Sequence, residues 1–459
     1  MSHFMISAAH KSSGKTTVTL GLCAALTQRG LHIQPFKKGP DYIDPLWLGQ
    51  AAQQACHNLD FHTMSNTEIR TTFARYHQHA DLSIIEGNLS LYDGMDVEGS
   101  NSNAALAHLL TAPVILVLNV EGVTRGIVPL ILGYQAFDKS IHIAGVILNR
   151  AAGQRHEGKL RAAIEHYTDI PILGVIHRHP NLAIVERHLG LMPNNEVDAA
   201  QQKIDSIATI IADQVDLDKV IQVADYATKI DFIDIPAIVK PKANIKIGIM
   251  RDAAFGFYYA SDLKALQQAG AELVFINALQ DETLPDIDGL FIGGGFPETQ
   301  MTALANNQSL KQAIYQAIEN NLPVYAECGG LMYLARQLTW HDQQADMVGI
   351  LPFDTIMHER PQGRGYVKMQ ETGHHLWGLP NIDDKPATFP AHEFHYSKAV
   401  NVPDNLTYAY KVLRGQGING DYDGVIYKNV LACYVHLRDV DNNRWTQRFV
   451  EFVQYVKNS

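Results

Sequence analysis

Short, nearly continuous apolar segments alternate with helical patterns along this chain, from residue 3 to about residue 176. Strands of a parallel sheet are buried on both faces and so read as uninterrupted apolar runs, and each crossover between them needs a helix. The first helical stretch carries Val18, Leu22 and Leu26 on one face. The alternation predicts an α/β fold with a doubly wound parallel sheet, which binds ligands at the carboxyl ends of its strands. The predicted strands are FMISAA, LHIQPF, LSIIEG, APVILVLNV, IHIAGVILNR and IPILGVI.

A second alternating series begins near residue 245 and predicts a second α/β domain, whose later part reads as antiparallel strands. Residues 197–224 read as a helical tail of the first domain. The stretch DFIDIPAIVKPKAN has two prolines and no helical period, so it reads as a linker over residues 231–244. The predicted organisation is therefore a domain over residues 1–230, this linker, and a domain over residues 245–459. The parallel strands predicted in the second domain are IKIGIM, AELVFI, IDGLFIGGG and LPVYAE, and the antiparallel ones are GRGYVKMQ, ATFPAHEFHYS and LTYAYKVL.

Charge and composition narrow the class of protein. The net charge of −11 argues against nucleic acid as the main partner, because phosphate binding needs a basic face. The amino terminus lacks the long apolar region of a signal peptide, and no long uncharged apolar stretch predicts a membrane span. The four cysteines are widely spaced, with no CxxC pair, which predicts reduced thiols in a cytoplasmic protein without a zinc site.

The sequence AAHKSSGKTT follows the first predicted strand and precedes the first helix. Gly14, Lys15 and Thr16 match the end of a phosphate-binding P-loop, with Ala9 where the first glycine normally stands. Such a loop wraps backbone N–H groups around phosphate oxygens, while the lysine reaches the outer phosphates and the threonine holds Mg²⁺. A chance Gly-Lys-Thr in a turn is the alternative, and the preceding strand and following helix oppose it.

Two acidic loops follow predicted strands, at the edge where a doubly wound sheet binds its ligands. Glu86 ends the apolar run of IIEGNLSLYDG and is placed to orient Mg²⁺ directly or through water. Asp41 and Asp44 in KKGPDYIDP, and Asp93 in the second loop, are further candidates. Each aspartate alone is more simply a turn former, but two such loops beside a P-loop favour a site for nucleotide and metal.

The segment YAECGG ends another predicted strand with a cysteine before two glycines. Cys328 is expected on a strand-to-helix turn, where the helix start favours the thiolate, and the glycine-rich FIGGGFPE supplies N–H groups suited to an oxyanion hole. His436 in LACYVHLRD lies just past a later strand and is the candidate base. A packed core thiol and a satisfied polar histidine are the alternatives. The three cysteines without such a context read as structural: Cys23, Cys56 and Cys433.

Together these motifs resemble the glutamine-dependent cobyrinate a,c-diamide synthases, a family with relatives that amidate hydrogenobyrinate, Ni-sirohydrochlorin or sirohaem. The resemblance covers nearly the whole chain, in order. It implies a dethiobiotin-synthetase-like P-loop domain followed by a class I glutamine amidotransferase domain. In this family ATP phosphorylates side-chain carboxylates of a tetrapyrrole, and ammonia from glutamine displaces the phosphate to give the a and c amides. The motifs that carry it are SSGKTT, KKGPDYIDP, EGNLSLYDG, GGGFPE, YAECGGLMYLA, AHEFHYS and YVHL.

The resemblance also implies roles for individual residues. Cys328 is the glutaminase nucleophile, His436 activates it, and the backbones of Gly294 and Gly329 are candidate oxyanion donors. The implied co-substrates are ATP and glutamine, with Mg²⁺ as cofactor; P-loop relatives often pair around the nucleotide, so a homodimer is one expectation. The remaining assignments are Ser12, Ser13, Gly14, Lys15, Thr16 and Thr17 for ATP, Thr16, Asp44 and Glu86 for Mg²⁺, and Asp41, Tyr42 and Asp93 for the tetrapyrrole.

Some positions depart from the family's pattern. Class I amidotransferases commonly carry a glutamate two residues after the histidine, where this chain has Arg438. Either the Cys–His pair suffices, or Glu393 in AHEFHYS assists, or Glu393 is structural. The substrate loop EGNLSLYDG also differs from the corrin enzymes, so sirohaem amidation is the main alternative. A more remote alternative from another class is a P-loop ATPase switch with an inactive amidotransferase domain.

Overall fold

The structure is a computed structural model that describes residues 2–184, 186–187, 190–191, 200–228, 244–379 and 385–459. The chain folds as two compact units, residues 1–236 and residues 237–459. The predicted linker, residues 231–244, lies outside the described residues except for Asn244. No helix of the described part of the chain is both long and apolar enough to cross a membrane.

The first unit is built on a seven-stranded sheet in which every pairing is parallel, as the apolar runs predicted. The first strand lies at its centre, so the chain moves outward in both directions and helices cover both faces. The strand order is β3-β2-β4-β1-β5-β6-β7. The short third strand was not predicted from the sequence. The bounds are β1 Ser2–Ala8, β2 Ile33–Lys38, β3 His57–Leu59, β4 Leu82–Glu86, β5 Val114–Asn119, β6 Ile143–Ala151 and β7 Ile172–His177.

Helices connect these strands, and the tail predicted over residues 197–224 forms two helices within its described part. A short two-stranded hairpin, β8 Glu186–Arg187 and β9 Gly190–Leu191, precedes that tail. The helices are α1 Lys15–Gln28, α2 Ile43–Ala52, α3 Asn66–His77, α4 Asn103–Leu109, α5 Ile127–Phe137, α6 Gln154–Tyr167, α7 Ala200–Gln214 and α8 Leu217–Ala224.

Helix α7 packs closely against α1, the helix that follows the P-loop. Val18, Leu22 and Leu26 are buried, as the apolar stripe predicted. The close approach depends on Gly21, because a Cβ at that position would lie 2.3 Å from Cγ1 of Ile211 on α7. Helices that meet through a glycine leave no room for even a methyl group unless one of them moves.

The second unit is built on a nine-stranded mixed sheet of order β12-β10-β13-β15-β24-β23-β22-β19-β20. Its first five strands pair in parallel and the remaining pairings are antiparallel, so the predicted change from parallel to antiparallel strands is confirmed. The strands are β10 Ile245–Met250, β11 Phe255–Phe257, β12 Ala271–Ile276, β13 Gly289–Ile292, β14 Gly294–Gly295, β15 Val324–Glu327, β16 Gln337–Trp340, β17 Gln343–Asp346, β18 Asp354–Met357, β19 Gly363–Glu371, β20 Thr388–His395, β21 Ser397–Val400, β22 Thr407–Arg414, β23 Tyr422–Tyr427 and β24 Val430–Cys433.

Two apolar layers cover the two faces of this sheet. Consecutive residues of one strand alternate between them: Ile292 lies in one layer and Phe291 in the other, and Ala326 and Tyr325 divide in the same way. Strands β16, β17, β18 and β21 form a separate four-stranded sheet, and β11 pairs with β14. The helices of this unit are α9 Ala260–Gln268, α10 Met301–Asn306, α11 Gln308–Glu319, α12 Gly329–Leu334 and α13 Trp445–Asn458.

Alanine substitutions at two helical glycines of the first unit should change the free energy of unfolding in opposite directions, because only one of these glycines lies in the tight contact between α1 and α7. Gly21→Ala should lower the free energy of unfolding by about 1–3 kcal/mol, because the new methyl group overlaps Ile211. Gly158→Ala is the matched control, because Gly158 lies in α6 with no atom near the added Cβ. There the better helix propensity should raise stability by up to about 1 kcal/mol. Calorimetric unfolding of both full-length variants checks this, and equal stabilities would contradict it.

Candidate active site

The P-loop of the first unit connects β1 to α1. Its residue just before the helix, Gly14, has a left-handed backbone conformation that favours glycine. Gly14 has φ of 89°, and a Cβ there would lie 2.2 Å from Nδ2 of Asn149. Asn149, on β6, donates a hydrogen bond from this nitrogen to the Ser13 carbonyl (2.9 Å). The loop residue Ser12 also has a positive φ, of 63°, and its side chain is exposed. The sequence analysis missed Asn149, which closes the loop from a neighbouring strand.

The functional side chains of the loop point at the ends of two other strands. Nζ of Lys15 donates to the Leu89 carbonyl at 2.5 Å, in the loop after β4. Oγ1 of Thr16 donates to Oε1 of Glu86 (2.6 Å) and lies 3.3 Å from Oδ2 of Asp44. The structure thus brings together the P-loop and two of the predicted acidic residues.

Lys37, which the sequence analysis did not single out, lies at the centre of this cluster. Its Nζ is 2.5 Å from Oδ2 of Asp44, 3.0 Å from Oε1 of Glu86 and 3.7 Å from Oδ2 of Asp41. Burial by itself lowers the pKa of Lys37, but these carboxylates outweigh it and raise the pKa well above its usual value. The buried ammonium is therefore charged. The sequence carried no separate signal for Lys37, because its position depends on the register that pairs it with Glu86 across β2 and β4.

The donors of this cluster fit a magnesium ion. The Thr16 hydroxyl and the carboxylates of Asp44 and Glu86 are hard oxygen donors of the kind that Mg²⁺ prefers, and they lie close together. The same carboxylate oxygens contact Nζ of Lys37, so an ion bound here would share them with that ammonium. Within the described ranges, no group of three or more His, Cys, Asp or Glu residues is placed to hold a metal. An ion bound here would therefore take its remaining ligands from phosphate oxygens and water, as Mg²⁺ does in nucleotide sites.

The residues predicted to bind a tetrapyrrole lie on two segments of the first unit, the start of α2 and the loop after β4. Oδ1 of Asp41 accepts hydrogen bonds from the backbone N–H groups of Ile43 and Asp44 (2.9 and 3.1 Å), so Asp41 also organises the start of α2 as a turn former. Tyr42 is buried immediately before that helix. Asp93 lies on the exposed part of the loop after β4.

The loop after β4 is organised by Asn103, a second residue that the sequence analysis missed. Its Nδ2 donates to Oγ of Ser7 (2.9 Å) and to the carbonyls of Asn88 (2.6 Å) and Ser90 (2.7 Å). Asn103 is fully buried at the start of α4. This single amide therefore ties the loop to β1, next to the P-loop.

In the second unit Cys328 lies on a sharp turn between β15 and α12, as predicted. Its φ of 47° and ψ of −97° are strained for a residue other than glycine, which is typical of a nucleophile placed at a strand-to-helix turn. The Cys328 N–H donates to the Cys433 carbonyl (2.7 Å) on the adjacent β24. A Cβ on Gly330 would lie 2.2 Å from the Ile292 carbonyl oxygen, so this turn packs tightly onto β13.

His436 and the two predicted oxyanion glycines meet at this turn. A Cβ added to Gly294 would lie 2.7 Å from Cε1 of His436, and one added to Gly329 would lie 3.1 Å from the backbone nitrogen of Gly295. The backbone N–H of His436 donates to the backbone carbonyl of His392 (2.8 Å). The imidazole rings of these two residues stack with their centroids 5.0 Å apart. These close approaches place both glycine-rich turns beside the histidine and the residue that follows the cysteine.

The thiol is protonated in the resting protein. Burial raises the pKa of Cys328, and the carboxylates of Glu298 and Glu327 raise it further. The Gly329 N–H lowers the pKa but does not reverse its direction. The helix start was expected to favour the thiolate, and the Gly329 N–H acts in that direction, but desolvation outweighs it and the pKa of Cys328 is raised. A base must remove the proton when the thiol reacts.

A third buried side chain, Glu327, contacts His436. Its Oε2 is 3.2 Å from Nδ1 of His436, and both side chains are buried. The sequence signal was present in YAECGG, where the glutamate directly precedes the cysteine. Glu393 instead accepts hydrogen bonds from the backbone N–H groups of Gln416 (2.7 Å) and Gly417 (2.9 Å), so its role is structural.

Arg438 occupies the position where class I amidotransferases commonly carry a glutamate. Its guanidinium lies over the Tyr259 ring, 4.9 Å from the ring centroid, and the residue is buried. It therefore packs as a cation on an aromatic face.

Comparison with known proteins assigns both units to families. Residues 4–191 match the CobQ/CobB/MinD/ParA nucleotide binding domain, and residues 246–444 match the CobB/CobQ-like glutamine amidotransferase domain. A cobyrinate a,c-diamide synthase of Magnetococcus marinus is 43% identical over 453 residues, covering 97% of this chain and 96% of its own length. Proteins of the same name from Archaeoglobus fulgidus and Methanosarcina acetivorans are 40% and 38% identical, each covering 95% of this chain and 94% and 92% of their own lengths.

The electrostatics of the P-loop predict that nucleotide binding weakens in alkaline solution. Burial lowers the pKa of Lys15 to about 8, so the free protein loses this positive charge as the pH rises through that value. Bound phosphate favours the charged form, so the dissociation constant for ATP should rise about ten-fold from near pH 7 to near pH 9. Calorimetric titration at both pH values measures it.

Lys38 supplies the control for this titration, because burial lowers its pKa to about 8 as well. Lys38→Met should keep the pH dependence, whereas Lys15→Met should weaken binding and flatten it. A flat profile in Lys38→Met would assign the effect to Lys38 instead.

Proposed function

We propose that this chain, which belongs to the cobyrinate a,c-diamide synthase family of ATP-using, glutamine-dependent carbon–nitrogen ligases, converts cobyrinic acid to its a,c-diamide. The observation that carries the proposal is that one chain holds both sites such a reaction needs: a P-loop with an acidic cluster, and a Cys328–His436 pair beside glycine-rich turns. We assign the ATP-dependent step to residues 1–230 and glutamine hydrolysis to residues 245–459.

The first unit activates the carboxylate of the substrate. A carboxylate is a poor electrophile, so its oxygen takes the γ-phosphoryl group of ATP, ADP leaves, and the carboxyl carbon becomes open to attack. Lys15 and the N–H groups of the P-loop bind the phosphates and stabilise the charge that develops on them. Lys37, charged and buried, sits where the transferred group and the carboxylate would both be negative. Thr16, Asp44 and Glu86 would hold Mg²⁺, which neutralises phosphate charge.

The second unit supplies ammonia. The Cys328 thiol gives its proton to His436 and its sulfur attacks the side-chain amide of glutamine. The backbone N–H groups near Gly294 and Gly329 stabilise the oxyanion, and His436 returns the proton to the departing ammonia. Water then hydrolyses the thioester to glutamate. Ammonia attacks the acyl phosphate, phosphate leaves, and an amide remains.

The loop after β4 and the start of α2 are the parts of the first unit that we assign to tetrapyrrole binding, with Asp41, Tyr42 and Asp93 as contacts. Tyr42 is buried beside the acidic cluster, and Asp93 is exposed on the loop. The loop is tied to the P-loop through Lys15 and Leu89, so substrate and nucleotide would meet at neighbouring backbone segments.

A mass assay tests the substrate directly. The purified protein is supplied with ATP, Mg²⁺ and glutamine and is offered cobyrinic acid and sirohaem in parallel. Each replacement of a carboxyl OH by NH₂ gives a small mass decrease that high-resolution spectrometry resolves. We expect double amidation of cobyrinic acid and none of sirohaem. Amidation of sirohaem alone would overturn the corrin substrate and keep the reaction type.

The cysteine substitution tests the division between the two sites. Cys328→Ala should abolish amidation driven by glutamine and retain amidation driven by added ammonium, because the activating site lies in the other unit. Cys433→Ala is the control: its side chain is buried within β24, and its backbone carbonyl, which the substitution keeps, accepts the hydrogen bond from the Cys328 N–H. Product formation with each nitrogen source is measured for all three proteins. Loss of both activities in a folded Cys328→Ala variant would contradict the two-site mechanism.

A further inference from the structure

Among the buried carboxylates of the second unit, Glu327 lies directly beside the proposed glutaminase site. Glu327 is 3% exposed and contacts the base of the proposed glutaminase site. We propose that Glu327, the residue directly before the nucleophile, is the positioning residue that completes a Cys328–His436–Glu327 triad. This inference rests on the proposed function of Cys328 and His436 and adds a residue to it.

The two oxygens of Glu327 have different surroundings. Oε1 accepts hydrogen bonds from the Tyr325 hydroxyl (2.5 Å) and from the backbone N–H of Leu437 (2.9 Å), the residue after His436. Oε2 lies 3.2 Å from Nδ1 of His436. Two donors fix the carboxylate, and one of them belongs to the same segment as the histidine. The distance between the carboxylate and the ring is therefore set by the backbone.

This arrangement selects the tautomer of His436. A carboxylate oxygen accepts and cannot donate, so Nδ1 must carry the proton that faces Oε2. Nε2 is then the unprotonated nitrogen, which is the one that can take a proton from a thiol. When the S–H bond of Cys328 breaks, the proton forms the Nε2–H bond, and the imidazolium is stabilised by the adjacent negative charge of Glu327.

The geometry of the chain explains how Glu327 and Cys328, which are adjacent in sequence, can be the carboxylate and the nucleophile of one triad. Glu327 is the last residue of β15 and pairs with Cys433 of β24. His436 follows that strand by three residues. The backbone turns sharply at Cys328, where φ is positive. Glu327 therefore still lies in the strand, whereas Cys328 lies on the turn that follows it. The usual position for the acid is taken by Arg438, which packs on Tyr259.

Other ionisable groups lie near Cys328 and His436, and they would contribute to the measured pH dependence of Cys328 alkylation. Glu298 and Asp423 both raise the pKa of Cys328, and His392 stacks on the ring of His436. None of them replaces the contact with Nδ1: Asp423 accepts from the backbone N–H groups of Tyr434 and Val435, and His392 contacts the ring by its face.

Glu327→Gln tests the proposal with little change of shape. The Tyr325 hydroxyl and the Leu437 N–H both require an acceptor, so the amide oxygen should take the place of Oε1 and the NH₂ group should face Nδ1. Nδ1 then has to accept, which moves the ring proton to Nε2 and blocks proton transfer from the thiol. Glutamine hydrolysis, measured on the full chain without tetrapyrrole, should fall at least about 100-fold in kcat with little change in KM. Alkylation of Cys328 by iodoacetamide should shift to higher pH.

Glu393→Gln is the matched control, because it removes charge from another buried carboxylate that accepts from backbone N–H groups. It is expected to lower thermal stability and to leave the alkylation profile unchanged. Calorimetric unfolding of each full-length variant reports whether the second unit is folded, and it does not depend on tetrapyrrole amidation. If Glu327→Gln does not fold, Glu327→Asp decides: a carboxylate withdrawn from Nδ1 should give a lower kcat and an intermediate profile.

A wild-type kcat and alkylation profile in Glu327→Gln, or in Glu327→Asp where that variant decides, would overturn the triad. An equal shift in Glu393→Gln would also overturn it, because the effect would then be one of general stability. The proposed function fails separately: a wild-type protein that hydrolyses glutamine through Cys328 and amidates no tetrapyrrole leaves the test of Glu327 intact.

Discussion

Parallel strand pairing is the constraint on which the rest of this structure depends. All strands of a parallel arrangement end at the same edge, so residues that follow different strands meet there although they are far apart in sequence. In the first unit this brings the P-loop after β1 to Lys37 at the end of β2 and Glu86 at the end of β4. In the second unit β15 and β24 pair in parallel, so the segments that follow them and carry Cys328 and His436 start at the same edge. Each proposed site is a consequence of strand order.

Burial of charge is the second physical theme, and it acts differently in the two units. In the first, a lysine is buried among three carboxylates, whose attraction exceeds the cost of desolvation and keeps the ammonium charged. In the second, burial keeps the Cys328 thiol protonated, so reactivity depends on a base beside it. The proposed phosphate site therefore contains a buried positive charge, and the proposed glutaminase site contains a buried thiol whose surroundings favour the neutral form.

Backbone conformations with positive φ occur at both proposed sites, as they do at several turns elsewhere in the described chain. Gly14 and Ser12 in the P-loop and Cys328 in the second unit all have positive φ. The surrounding contacts hold these conformations: Asn149 closes over the P-loop, and Cys328 is anchored to β24 through its own N–H group. The strain is maintained by neighbouring strands, which explains why the supporting residues are distant in sequence.

The sequence by itself determined the two α/β units, the strands that carry the proposed sites and the P-loop motif, because periodicity and motif spacing are local properties of the chain. The pairing of Cys328 with His436 stays a prediction from the sequence. Only the tertiary structure decided which charged residues face one another. From the sequence alone, Lys37, Glu327 and Asn149 are only strand residues. In the structure, strand order and register place Lys37 beside Glu86, Glu327 beside the ring of His436, and Asn149 against the P-loop. The direction of the thiol pKa was decided in the same way, because desolvation depends on everything packed around Cys328 and not on the turn that carries it.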